Sequence, residues 1–286
     1  MLLLVAIWGI NFPIIKGAFA DIPPFAFNGF RFLVAAALLL IALRVLEGPP
    51  RFAREDLLGL LALGLVGHVG FQSLFIAGLA RTTAGNSSLI MSMAPLFIGV
   101  LGVVLGLEHP SVRMWAVLFV AFVGLLVLIE GRGGGRLSLA TAAGDLLVLA
   151  SAFCWAAYTV LSRAFLTRMS ALRLTTVTLI LGLPVLVAAA VPGLLHLDWT
   201  AVALASWGAV AFSAVLAIVV CYVIWYTSVQ AVGSTRTAAL SNLIPVVALV
   251  AARLLLGEPL GVLQVVGGGV VLFGVWLARS GSVDAR

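Results

Sequence analysis

The sequence predicts an all-α polytopic membrane protein, with ten transmembrane helices arranged as two inverted five-helix repeats around a central cavity. Three observations predict it. The composition is too apolar for a surface that faces water: of 286 residues, 63% are hydrophobic and 9% charged, whereas soluble domains are about half apolar and about a quarter charged. Mean hydropathy is +1.25. Apolar runs of spanning length recur from end to end. Landmark residues also repeat between the two halves at a near-constant spacing.

The apolar runs fall at about 2–19, 24–45, 57–80, 84–107, 112–129, 144–164, 170–191, 202–229, 234–256 and 261–279. Each is long enough for a helix to cross ~30 Å of hydrocarbon. Short breaks with turn residues separate them: DIPP, EGPPRFARED, RTTAG, LEHPS, EGRGGGR, PGLLHLD and GEPLG. Ala18-Phe19-Ala20 before Asp21 has the small residues of a signal-cleavage site. However, no basic segment precedes the first run, and Asn11, Pro13 and Lys16 interrupt it, so it reads as a span and not as a leader. Cys154 and Cys221 both lie inside apolar runs and report neither a disulfide framework nor metal spacing.

The internal repeat is the strongest signal. Trp8 and Lys16 in span 1 are matched by Trp155 and Arg163 in span 6, an offset of 147. Pro95, Glu108 and Gly124 are matched by Pro245, Glu258 and Gly274, an offset of 150, and a proline follows each Glu closely (Pro110, Pro259). The repeats are expected at 1–130 and 144–280, joined by a Gly/Arg-rich linker at 131–143 and followed by a tail at 281–286. Five spans per half is an odd number, so span 6 runs opposite to span 1. The halves are then inverted repeats, an architecture of secondary transporters.

The cations set the orientation. Even-numbered loops and the C-terminus carry Arg44, Arg51, Arg54, Arg113, Arg163, Arg168, Arg173, Arg236, Arg279 and Arg286. Odd-numbered loops and adjoining ends carry Lys16, Arg31, Arg81, Arg132, Arg136 and Arg253. Ten against six places both termini in the cytoplasm. The net charge of +6 is spread between apolar runs, so it reads as a topology signal and not as a nucleic-acid surface.

The WGINFPIIK opening, the Asn28-Gly29-Phe30-Arg31-Phe32 stretch, the run from Ala84 through Pro95, and above all LGEPLGVLQVVGGGVVLFGVWL at 256–277 carry a family likeness over nearly the whole chain. The sequence resembles the drug/metabolite transporter superfamily, specifically its EamA-type ten-helix exporters. Among these it looks most like the YddG-type exporters of aromatic and other neutral amino acids. The resemblance implies export by alternating access from a cavity between the halves. Span 6 departs from span 1 in carrying Tyr158 at the Asn11 position and no proline at the Pro13 position.

Polar and aromatic residues deep in the spans are the cavity candidates, because polar groups in hydrocarbon are costly without a partner or a wet cavity. Trp8 and Asn11 in span 1, and Ser151, Trp155, Tyr158 and Ser162 in span 6, each share a helix face. His68, Gln72 and Phe75 form a stripe in span 3, and Cys221, Tyr222 and Trp225 form one in span 8. Ser88, Met91 and Ser92 in span 4 and Ser241 and Asn242 in span 9 complete the set. Pro95 and Pro245 interrupt corresponding spans, which points to gating bends. Trp115, Trp199, Trp207 and Trp276 lie near span ends and suit interfacial belts. For Trp225, belt and cavity weigh equally. Pro13 is expected to loosen one turn of span 1, Lys16 to reach the headgroups, and Glu108 and Glu258 to cap the helices that follow them. Gly64, Gly67 and Gly70 suit close helix packing.

The mid-spans hold no Asp or Glu. A carboxylate proton relay therefore has no residue to run on, uniport becomes credible, and His68 is the sole central titratable candidate for coupling. No Walker pattern, metal-spaced His/Cys set or Ser-His-Asp arrangement occurs, so an enzyme is not expected and no cofactor is implied. The expected protein is a monomer in the bacterial cytoplasmic membrane, touching lipid and a small-molecule substrate and no nucleic acid. Aromatic or other neutral amino acids are the favoured cargo, and lipophilic cations held in an aromatic cage are the alternative.

Overall fold

The computed structural model describes residues 1–107, 139–241 and 243–258, with 262, 266 and 269. Every regular element among them is helical. In chain order they are α1 (Leu2–Ala18), α2 (Pro24–Leu46), α3 (Leu57–Gly64), α4 (Phe71–Arg81), α5 (Ala84–Met91), α6 (Ala94–Val104), α7 (Leu139–Leu166), α8 (Ala171–Leu195), α9 (Leu204–Phe212), α10 (Cys221–Val232), α11 (Ser234–Ser241) and α12 (Ile244–Leu256). One short 3₁₀ turn, Arg54–Asp56, precedes α3, and π-helical stretches join α3 to α4 (Leu65–Gly70) and α9 to α10 (Ser213–Val220).

Six stretches among the described residues are long and apolar enough to cross a membrane: Pro24–Leu46, Arg54–Arg81, Ala84–Val104, Ala142–Leu166, Ala171–Leu195 and Leu204–Val232. Leu2–Ala18 and Ile244–Leu256 are shorter apolar helices. The expected span at 112–129, with Glu108, Trp115 and residues 131–138 of the linker, lies outside the described residues, as do Trp276 and most of the span at 261–279, whereas 139–143, expected as the end of the linker, already belong to α7.

Local chemistry sets the helix ends. α2 opens on Pro24, whose fixed φ suits a first helical position and whose missing N–H is not needed there. Thr83 Oγ1 accepts the Asn86 amide at 3.1 Å to start α5, and Ser170 Oγ accepts the Arg173 amide at 3.1 Å to start α8. α12 stops at Gly257, which takes the left-handed conformation (φ 66°) that side chains disfavour. The helix runs through Pro13 without ending. At Pro95 and Pro245 it does end: α5 stops at Met91 and α6 begins at Ala94, and α11 stops at Ser241 and α12 begins at Ile244. Each proline falls in the first turn of the second piece.

Element starts recur along the chain. Helices α4, α5 and α6 start at 71, 84 and 94, and α10, α11 and α12 at 221, 234 and 244, 150 residues later in each case. The most extensive packing joins the two stretches: α2 lies on α8, α4 on α7, and α1 on α12. Polar contacts between them sort onto two faces. On one face Arg168 pairs with Asp56 at 3.0 Å, Ser170 Oγ donates to Glu47 at 2.6 Å, and Arg173 lies 3.5 Å from the same carboxylate. On the other, Glu258 accepts the Ala84 and Gly85 amides at 2.9 and 3.0 Å, Ser206 Oγ donates to Asp21 at 2.6 Å, and Thr82 Oγ1 donates to Asp145 at 2.7 Å. The first set joins the segments that follow α2 and α7, and the second joins the ends of α1, α4 and α12 to the first two turns of α9, α7 and α5.

Two placements differ from expectation. Lys16 does not reach toward headgroups. Its Nζ donates to the Leu79 and Ala80 carbonyls at 2.8 and 3.0 Å, because the last carbonyls of α4 lack helical partners and attract a cation. Glu258 caps α5, which lies in the other half of the chain. Trp199 and Trp207 stack at 6.4 Å with Phe30 against both rings, beside the Asp21–Ser206 contact.

Two of the three span-3 glycines sit at tight crossings. A Cβ on Gly64 would strike the Thr178 carbonyl oxygen, and one on Gly67 would strike the Tyr158 ring, whereas Gly70 has ordinary room. Gly64→Ala is therefore expected to cost about 1–3 kcal/mol through overpacking. Gly208→Ala, in an open stretch of α9, should be neutral or stabilise by up to ~1 kcal/mol. Thermal unfolding of the two detergent-solubilised variants checks the contrast.

Candidate binding cavity

A cavity of about 90 Å³ lies between the two stretches, lined by residues from both. From the first come Trp8, Asn11, Phe12, Arg31, Phe71, Gln72, Phe75, Ser88, Met91 and Ser92. From the second come Trp155, Ala217, Ile218, Tyr222, Trp225, Ser241, Ile244 and Pro245. Both helix breaks open onto it, through Ser92 and Ala94 on one side and Ser241, Ile244 and Pro245 on the other. A broken helix leaves backbone donors and acceptors without intrahelical partners, and a polar cavity is where such groups are tolerated inside a membrane.

The walls are aromatic. Trp8, Trp155 and Trp225 meet in a triangle with ring centroids 5.4–5.5 Å apart, and Tyr222 lies 5.4 Å from Trp155 and 6.2 Å from Trp8. The polar edges of these rings are anchored. Trp8 Nε1 donates to the Ala217 carbonyl at 2.8 Å, within the π-helical stretch. Trp225 Nε1 donates to Thr159 Oγ1 at 3.3 Å. Asn11 Oδ1 accepts from Ser213 Oγ at 2.6 Å. Fixed rings lose little rotamer freedom when a ligand stacks on them.

The charge in the wall comes from a residue that the topology count had placed among loop and span-end cations. Arg31 is the eighth residue of α2, only 2% exposed, and it lines the cavity. Its Nε and Nη2 donate to Asn28 Oδ1 at 3.0 and 2.8 Å, and Nη2 also donates to Gln72 Oε1 at 2.5 Å. Gln72 Nε2 then donates to the Tyr222 hydroxyl at 2.8 Å. The Phe27 and Phe32 rings flank the guanidinium at 5.7 and 5.5 Å. Among the described residues no carboxylate bonds to it. Arg31 thus leaves the loop count, which becomes ten against five, and the orientation it favours is unchanged.

Trp8, Asn11, Gln72, Ser88, Met91, Ser92, Trp155, Tyr222, Ser241 and Pro245 all reach the cavity wall. His68 and Tyr158 do not. Both are fully buried behind it, where Tyr158 OH and His68 Nε2 each bond to Thr178 Oγ1, at 2.8 and 3.1 Å, and lie 3.2 Å from one another. Their distance from the wall has a packing cause: Gly67 lets the Tyr158 ring lie flat against the helix that carries His68. Pro95 also stands off the wall, and Asn242 lies outside the described residues. Trp225 is 1% exposed and in the wall, which settles the balance between belt and cavity. Arg31 could have been found from its sequence position: a cation one helical turn after Asn28, eight residues into an apolar run, is too deep for a topology signal.

Apolar helices from both stretches thus surround a small cavity with aromatic walls and a few polar groups. The chain belongs to the EamA-like transporter family, which matches residues 1–130 and 142–280. It is 32% identical over 277 residues to an uncharacterized transporter of Bacillus subtilis, YyaM, covering 96% of this chain and 90% of that one. It is 30% identical over 291 residues to a probable amino-acid metabolite efflux pump of Escherichia coli, covering 96% and 92%. A crystal structure with 18% identity superposes with a TM-score of 0.74 over 98% of this chain and 94% of that one, which supports the fold alone. The chain is a multi-pass membrane transporter and not an enzyme.

The Glu258 cap makes a local prediction. A carboxylate that accepts two amides at a helix start contributes on the order of 1–2 kcal/mol, so Glu258→Gln should speed hydrogen exchange at Ala84 and Gly85 several-fold. Exchange near Ser170, at the opposite face, should not change.

Proposed function

We propose that this protein is a secondary transporter that exports small neutral solutes, foremost aromatic and other neutral amino acids, from the bacterial cytoplasm by alternating access. The observation that carries this reading is the contact between repeat-related residues at the cavity. Trp8 and Trp155, 147 apart in sequence, touch with centroids 5.5 Å apart. Gln72 and Tyr222, 150 apart, share a hydrogen bond. Equivalent residues from two repeats touch only where a pseudo-two-fold axis passes between them. In inverted-repeat transporters the solute site lies at that interface. Ten spans in two inverted halves, with both termini cytoplasmic, account for the recurrence of helix starts and for the sorting of loops onto two faces.

The mechanism follows from the contacts between the halves. Asp56–Arg168 and Glu47–Ser170–Arg173 fasten one face, and Glu258–Ala84/Gly85, Asp21–Ser206 and Thr82–Asp145 fasten the other. With both sets made, the cavity is small, well below the roughly 300–1,000 Å³ of pockets that enclose drug-sized ligands. Releasing one set at a time opens the cavity to one side. The breaks ahead of Pro95 and Pro245 are the hinges, since a broken helix bends without rupturing further backbone hydrogen bonds. Substrate contacts come from the aromatic wall with Asn11, Gln72, Ser88, Met91, Ser92, Tyr222, Ser241 and Asn242. His68 and Tyr158 support the wall from behind. No carboxylate lines the cavity among the described residues, which favours downhill transport over proton exchange. The name of the Escherichia coli relative points to amino-acid metabolites, and the YddG-type likeness to aromatic and neutral ones.

Liposomes containing the purified protein should take up labelled Phe, Trp, Met or Thr saturably and equally with and without a pH gradient. Trp155→Ala should lower uptake at least tenfold, equivalent to about 1.4 kcal/mol of lost interaction. Transport of a cationic dye with no amino-acid uptake would overturn the cargo assignment. A C-terminal green fluorescent protein fusion should fluoresce and a C-terminal alkaline phosphatase fusion should be inactive, because both report a cytoplasmic terminus.

A further inference from the structure

Arg31 has a role that burial alone does not explain. Within a membrane protein an ionised side chain is retained only where it pairs with a charge or reaches a wet cavity. Leaving one without an opposite charge is strongly destabilising. The groups that bond to Arg31 are two amide oxygens, Asn28 Oδ1 and Gln72 Oε1. Those oxygens and the Phe27 and Phe32 rings orient the guanidinium but supply no opposite charge. A guanidinium carries five N–H donors, and the three bonds use only Nε and Nη2. Nη1 has no hydrogen-bond partner among the described residues. Asn28 and Gln72 arrive from one helical turn back and from α4, so the planar group is held at a fixed angle in the cavity wall.

We infer that Arg31 is the anion subsite of the cavity and receives the carboxylate of the transported solute. This rests on reading the cavity as the place where that solute binds. A guanidinium held by amides, with free donors on one edge, matches a planar carboxylate through charge-assisted hydrogen bonds. The tryptophan triangle then meets the apolar side chain. The Trp and Tyr222 faces also suit an α-ammonium, which aromatic rings attract. The resulting substrate class is a carboxylate with an attached apolar or aromatic group. Lipophilic cations that lack an acid are disfavoured, because they would share a small, poorly solvated space with a fixed positive charge.

Arg31 also links substrate binding to the interface between the halves. The chain of bonds runs from Arg31 through Gln72 to Tyr222, from the first half into the second. A carboxylate that draws the guanidinium inward competes with Gln72 for Nη2, so occupancy is sensed at the contact that joins the repeats.

The test uses the full-length protein in detergent, with tryptophan fluorescence as the binding signal, and then in liposomes. The probes are phenylalanine, 3-phenylpropionate (acid without amine) and phenylalaninamide (amine without acid). The inference expects phenylalanine and 3-phenylpropionate to quench fluorescence saturably, and phenylalaninamide to bind at least tenfold more weakly. Arg31→Gln should weaken both acids at least tenfold without weakening the amide, whose repulsion by the guanidinium it removes, and Arg31→Lys should restore part of the loss. These comparisons on the unaltered chain stand even if Arg31→Gln does not fold. If the amide binds as well as phenylalanine, or if neither acid binds, Arg31 is not an anion subsite. If 3-phenylpropionate binds and is transported while no amino acid is, the anion subsite stands and the amino-acid cargo fails. If phenylalanine and its amide are transported equally well, the amino-acid reading stands and the anion subsite fails.

Discussion

A polar group inside hydrocarbon must find its partner within the protein or face enclosed water, and this constraint organises the whole molecule. Backbone groups meet it by helix formation. Side-chain groups meet it by gathering where helices from both halves converge. Arg31, Asn28, Gln72 and Tyr222 form one such gathering, and Tyr158, His68 and Thr178 form another behind it. The helix breaks ahead of Pro95 and Pro245 open onto the same cavity. The cavity exists because these groups have no lower-energy place to be.

Close packing holds the gathering together. Gly64 and Gly67 bring α3 and its π-helical continuation against α8 and α7, near enough for the Tyr158 ring to lie on the backbone. π-helical turns shift the register of a helix by one residue. Here they occur in both halves, ending two residues before Gln72 in one and two before Tyr222 in the other. They aim those two side chains at each other and leave Ala217 able to accept from Trp8. Loops then fasten the two parts of the chain to each other through ion pairs and caps.

Much of the fold was legible because the bilayer imposes a length on every span. The Trp8/Trp155 and Pro95/Pro245 pairings were visible as spacings, and the structure turns the first into a ring contact. The face of α1 that carries Trp8 and Asn11 followed from helical periodicity. Periodicity gives direction but not depth, however. His68 and Tyr158 share a stripe with wall residues, yet sit behind the wall, because a glycine on a neighbouring helix admits one ring and buries the other. Lys16, Arg31 and Glu258 were read by charge and sequence position, as signals to lipid or to the next helix. The partners of Lys16 and Glu258, and the Gln72 partner of Arg31, are 41 to 174 residues away in sequence, and no local pattern encodes that. Arg31 was the most legible of the three, since its depth within an apolar run was on view.

If the cavity is the solute's binding place, a bound solute shields the residues of its wall. Cysteine protection tests it most directly. In a Cys154→Ala/Cys221→Ala background, Ser88→Cys places a single thiol in the cavity wall and Thr200→Cys places one on an exposed loop. Saturating phenylalanine is expected to slow methanethiosulfonate labelling of Ser88→Cys at least fivefold and to leave Thr200→Cys unchanged. Transport of phenylalanine by the Ser88→Cys protein with no change in its labelling rate would contradict it and move the solute's path elsewhere.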